Sequence, residues 1–127
     1  MTEAVMLSHV MTEHLLSKKF SVIIDRMLWN ELNESVNAFE HIAKKLGCPF
    51  IHIYLTANLE TVISRADERG YPKEAEGGLS RDKVIKFHER TTNSLSNHAE
   101  EFTINTTDMS EDEVYNQAKA ILEINLR

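Results

Sequence analysis

Four charged residues in this chain have the type and spacing to handle an anion. Asp25 and Arg26 follow directly on a β-branched run, Val22 to Ile24, and Arg65 and Arg69 lie four apart within a stretch of helical period. At roughly 100° per residue, positions four apart on a helix differ by about 40°, so the two guanidinium groups project from one side, beside the apolar stripe. Arginine presents a planar, permanently charged fork that fits a phosphate. The plainer alternatives are a strand-end salt bridge for Asp25 and Arg26, and for Arg65 and Arg69 a solvated helix face with Asp67 and Glu68 as ordinary ion-pair partners.

The elements that must position these residues follow from the pattern around them. Phe50 to Leu55 is a short apolar, β-rich run bounded by Pro49 and by Thr56-Ala57-Asn58, which predicts a buried strand. From Asn58, an N-cap, the period changes: Leu59, Val62, Ile63 and Ala66 fall on one helical face and Gly70 supplies the stop. Residues 70–80, with GYPKEAEGG at their centre, have the composition of a flap. Strand, arginine-bearing helix and flap in this order point to phosphate handling. Upstream, an amphipathic helix runs to about Leu16 and is ended by Lys18 and Lys19. Val22 to Ile24 reads as a strand covered on both faces, with Asp25 and Arg26 at its carboxyl end, where open parallel sheets bind ligands. A second helix spans about Asn30 to Leu46, with Gly47 and Pro49 as stops. Downstream, Ser80 caps a helix carrying Val84, Ile85, His88, Thr91 and Leu95; Phe102 to Asn105 is a third strand; and Ser110 to Glu113 is a capping box opening a terminal helix. The order α-β-α-β-α-flap-α-β-α predicts an α/β fold with a parallel sheet.

Composition bounds the function. At 127 residues, 42% hydrophobic and 27% charged, the chain is globular and at most one domain. A formal net charge of -6 argues against a partner that is nucleic acid or membrane surface. Positive charge is concentrated in the middle: Asn58 to Arg90 carries 7 basic and 7 acidic residues, Thr91 to Arg127 only 2 and 7. The single cysteine, Cys48, fits a reducing, cytoplasmic location, and no leader or membrane span is visible.

Three segments resemble one family. SVIIDRMLWNEL is similar to the strand ending in Asp-Arg of thymidylate kinases, IHIYLTANLETVISRADERGYPKEAE to the next strand, helix and lid of thymidylate and deoxynucleoside kinases, and FTINTTDMSEDEVYNQAKAIL to the last strand and helix of the same P-loop nucleotide kinase superfamily. The resemblance implies a three-layer α/β/α P-loop kinase-like fold across residues 1–127, with a lid at about 70–80. It implies transfer of the γ-phosphoryl of ATP to a nucleoside or nucleoside monophosphate. Asp25 would face the Mg²⁺ shell or the acceptor, Arg26 would hold the acceptor's or the transferring phosphate, and Arg65 and Arg69 would clamp the ATP phosphates when the lid closes. Phosphoryl transfer needs such positioning and charge neutralisation more than covalent help.

One departure is large. The family's Gly-x-x-x-x-Gly-Lys-Ser/Thr loop, which cradles the ATP phosphates, occurs nowhere in these residues. In the family that loop and the central strand precede the region where this sequence starts. The expectation is therefore a partial domain that is inactive alone and associates as a homodimer or with an amino-terminal segment, the other reading being a non-catalytic nucleotide-binding or protein-interaction module. Trp29 and Tyr71 are candidates for stacking on a substrate base, although a lone Trp after a strand is more often partial core. The six histidines are dispersed and form no ligand pattern, so a protein-built metal site is not expected.

Overall fold

The computed structural model describes residues 3–25, 32–71, 79–95 and 100–126. They fall into two compact units, Met1–Ile51 and His52–Arg127.

The first unit is a helix pair, α1 (Glu3–Ser17) and α2 (Leu32–Lys45). Phe39, Ile42 and Ala43 of α2 are buried, as is Thr12 of α1. The His9 ring meets Phe39 edge-on at 4.5 Å, and Lys45 Nζ donates to Glu13 Oε1 at 2.5 Å. That ion pair is exposed and contributes about 0.2–1 kcal/mol. Both helices end alike. At the end of α1 the Phe20 N–H reaches the Leu15 carbonyl and the Lys19 N–H that of Leu16; at the end of α2, Cys48 and Gly47 repeat the two bonds to Ala43 and Lys44. This closure requires a left-handed residue, supplied by Gly47 (φ 65°) and, against its preference, by Lys19 (φ 67°).

The strand expected at Val22 to Ile24 is not formed. Residues 20–25 carry neither helix nor strand, and Ile23 is 92% exposed. A β-branched run satisfies its backbone only by pairing, and no strand is present among the described residues of this unit to receive it.

The second unit holds β1 (Tyr54–Thr56), α3 (Leu59–Arg69), α4 (Arg81–Ser94), a 3-10 turn at Glu100–Phe102, β2 (Thr103–Asn105) and α5 (Glu111–Asn125). The strands pair in parallel, Tyr54 with Thr103, Leu55 with Ile104 and Thr56 with Asn105. Among the described residues the architecture is thus five α-helices and a two-stranded parallel sheet. The strand expected over Phe50 to Leu55 is confined to Tyr54–Thr56, because only there does β2 offer a ladder. The caps fall where polar chemistry put them. Asn58 Oδ1 accepts from Thr61 N–H and Ser80 Oγ from Lys83 N–H, while Ser110 and Glu113 exchange both bonds of a capping box. Tyr54, Ala66 and Ile104 form the core, with Ile104 fully buried, a burial that contributes about 1.5–3 kcal/mol. No helix among the described residues is long and apolar enough to cross a membrane.

Candidate functional site

The carboxyl ends of β1 and β2 are tied together by one backbone bond beyond the ladder and by side chains. The Thr56 carbonyl accepts from both the N–H and the hydroxyl of Thr106, at 2.7 and 2.9 Å. One residue on, the Thr107 hydroxyl donates to Asn105 Oδ1 at 2.7 Å and accepts from the Asn58 N–H at 2.9 Å. Asn58 therefore serves twice, capping α3 with its side chain while its backbone holds the turn after β2. From α4, His88 Nε2 lies 2.9 Å from the Ala57 carbonyl, which makes that ring nitrogen the donor. The start of α3 is thus fixed from two sides.

Helix α3 brings Arg65 to this end of the sheet. Its Nη1 donates to Thr106 Oγ1 at 3.0 Å and its Nη2 to the Thr106 carbonyl at 2.8 Å. Among the described residues two of its five guanidinium N–H groups find partners, which leaves three for a ligand. Arg69, one turn on, bonds through Nε to the Arg65 carbonyl at 3.4 Å, and its terminal nitrogens meet no partner among the described residues. Beside Arg65 is a shallow open depression of ≈ 430 Å³ lined by Glu60, Thr61, Ser64, Arg65, Glu68 and Thr107. Its hydroxyls suit phosphate oxygens. Its two carboxylates against one guanidinium disfavour a bare anion and suit one that carries its own cation.

At the root of the flap, the Tyr71 hydroxyl donates to Asp67 Oδ1 at 2.6 Å. That bond, with partial burial and the Asp67 charge, raises the phenol above its usual 10.0, while the Arg81 charge opposes the rise. Tyr71 therefore stands on the same helix end as Arg69, together with Arg81 at the start of α4.

Of the residues singled out from sequence, Arg65, Arg69 and Tyr71 share one helix and its exit. Asp25 belongs to the other unit, where it is exposed and lies in the irregular segment after α1. Arg26, Trp29 and residues 72–78 of the flap lie outside the described residues. Sequence reasoning missed Thr106 and Thr107. The signal was the polar run Asn105-Thr106-Thr107-Asp108 that begins on the last residue of β2, the residue types that tie a turn to neighbouring backbone. Among the described residues no cluster of His, Cys, Asp or Glu is arranged to hold a metal ion. A Mg²⁺ carried by nucleotide phosphates asks for only one or two protein carboxylates, and Glu60 and Glu68 are the pair within this depression.

No family model, curated protein or solved structure matches this chain.

Proposed function

We propose that this chain is the lid-bearing part of a nucleotide kinase, of the thymidylate-kinase type, in which a Mg²⁺-bound nucleotide is held outside the carboxyl ends of β1 and β2. In this reading the two strands belong to a three-layer α/β/α parallel sheet, and the cytoplasm, with its ATP and its reduced thiols, is the setting. The observation that carries the reading is the arginine pair of α3, of which Arg65 is held in place. Arg65 is pinned to Thr106, and Arg69 follows one turn later at the flap root; among the described residues three donors of Arg65 and the terminal nitrogens of Arg69 meet no partner. A fork held by two bonds, as that of Arg65 is, needs little reorganisation to neutralise phosphate charge. Arg26 and Asp25 are assigned to the acceptor and its cation.

A second reading is favoured by one sequence fact. These residues contain no glycine-rich Gly-x-x-x-x-Gly-Lys-Ser/Thr loop, so transfer requires that loop to come from outside them, and without it the protein is a non-catalytic nucleotide-binding module. Titration calorimetry separates the cases. Thymidine monophosphate binding that disappears in Arg26→Ala, with Mg-ATP binding that is weak and falls about tenfold further in Arg69→Ala (about 1.4 kcal/mol), supports the kinase reading. Mg-ATP binding weakened by Arg69→Ala with no acceptor binding supports the module. Absence of binding by either ligand ends both.

A further inference from the structure

The peptide group between Ala57 and Asn58 is gripped at both ends. Its carbonyl accepts from His88 Nε2 of α4 at 2.9 Å, and its N–H donates to Thr107 Oγ1, beyond β2, also at 2.9 Å. A peptide group is planar, so holding the carbonyl fixes the direction of the N–H. The Thr107 hydroxyl donates in turn to Asn105 Oδ1 at 2.7 Å. From α4 to the end of β2 the donors all point one way: imidazole to carbonyl, amide to hydroxyl, hydroxyl to side-chain carbonyl. In such a chain each bond polarises and strengthens the next.

This one peptide governs both partners of the contact between Arg65 and Thr106. Towards the helix, Asn58 accepts from the Thr61 N–H with its side chain and from the Val62 N–H with its carbonyl, so the peptide sets the direction in which α3 leaves the sheet and carries Arg65. Towards the strand, Thr107 and Asn105 shape the turn that presents the hydroxyl and carbonyl of Thr106 to the guanidinium. We infer that His88 is a positioning residue: through the Ala57–Asn58 peptide and Thr107 it keeps Arg65 in register with Thr106, and so sets where the guanidinium meets an anionic ligand. That ligand is the Mg²⁺-bound nucleotide of the reading above, on which this step rests. The reach of the side chain is what matters at 88. Glutamine carries an amide nitrogen as many bonds from the backbone as Nε2, whereas leucine has no donor.

The test is nuclear magnetic resonance of the isotope-labelled full chain as parent, His88→Gln and His88→Leu. In His88→Leu the amide protons of Asn58 and Thr106 should exchange about three- to tenfold faster and the Arg65 Nε–H resonance should shift, while the amides of Ala118 and Ile121 in α5 keep the parent rates. His88→Gln should restore the parent values. On a Thr107→Val background, where the chain of bonds is already cut, His88→Leu should add nothing to the Arg65 shift. Mg-ATP affinity, measured by calorimetry, should fall about three- to tenfold in His88→Leu and recover in His88→Gln. If His88→Leu loses the parent's circular dichroism, His88→Asn, whose amide nitrogen stops one bond short, takes its place. An Arg65 resonance indifferent to His88→Leu, exchange that quickens equally throughout α5, an undiminished effect on the Thr107→Val background, or an Mg-ATP affinity that His88→Leu leaves unchanged overturns the inference. A parent chain that binds no Mg-ATP overturns the nucleotide reading alone, because the exchange rates and the Arg65 resonance are measured without ligand and still decide the role of His88.

Discussion

The guanidinium of Arg65 holds both the hydroxyl and the carbonyl of Thr106, a residue 41 positions away, and so joins the middle of α3 to the end of β2. Thr106 is buried, and its carbonyl has a charged donor in place of water. Arg65→Ala is expected to lower stability by about 1–2 kcal/mol. Arg69→Ala, which removes a single long bond at the surface, changes it by less than about 0.5 kcal/mol. Urea unfolding of the two variants, compared at equal slope, checks the contrast; equal midpoints would show that the Thr106 bonds are not held in solution.

Lys19 occupies a left-handed conformation that closes the end of α1. Its Cβ makes that conformation costly, and glycine removes the cost. Lys19→Gly should stabilise the chain by about 0.5–1 kcal/mol, whereas Lys19→Ala, which keeps the Cβ, should give no comparable gain. Thermal unfolding followed by circular dichroism distinguishes the pair.

Glu113 closes the capping box at the start of α5, and the N–H of Ser110, followed by the Ser110 side chain, holds its carboxyl below the usual 4.5. A carboxyl whose value is depressed in the fold adds stability that is present above the unfolded value and is lost as pH falls through the folded one. The helical signal of the parent should therefore fall more steeply below pH 4.5 than that of Glu113→Gln, which keeps an acceptor but cannot titrate. Parallel acid titrations by circular dichroism test this, and superimposable curves would refute it.

Tyr71 runs the other way. The bond to Asp67 favours its protonated form, so its contribution is complete below the ordinary phenol value of 10.0 and is lost as pH rises through the higher folded value. In Asp67→Asn the phenol should ionise closer to 10.0. Alkaline ultraviolet difference titration, with Tyr71→Phe subtracted to isolate this ring from Tyr54 and Tyr115, measures the shift; an unchanged curve would mean that the Asp67 bond does not govern it.

What could be read in the sequence was what is decided locally. Asn58, Ser80 and Ser110 each cap the helix that follows because a short polar side chain reaches its own chain three residues on, and Gly47 and Gly70 stop helices by taking conformations that cost other residues more. The run Val22 to Ile24 misled because β-branching states only what a residue tolerates in a sheet. Whether a strand forms depends on a partner elsewhere in the chain, and the same dependence trimmed Phe50 to Leu55 down to Tyr54–Thr56. The arginine pair was visible as a spacing. Its asymmetry was not, since it is the placement of Thr106 that engages Arg65, while the terminal nitrogens of Arg69 meet no partner among the described residues.

The parallel pairing of Tyr54 with Thr103 encloses α3, α4 and everything between them in a single loop. Closing that loop costs chain entropy before three residue pairs of ladder return anything, whereas each helix forms from neighbours. The strands should therefore meet late in folding, and the bonds among Thr56, Asn58, Arg65, Thr106 and Thr107 are made in that same event. A chain with its helices formed and this loop still open lacks the Thr106 bonds that hold Arg65 at the strand ends, so the rate of loop closure sets how soon a newly made molecule completes the proposed site.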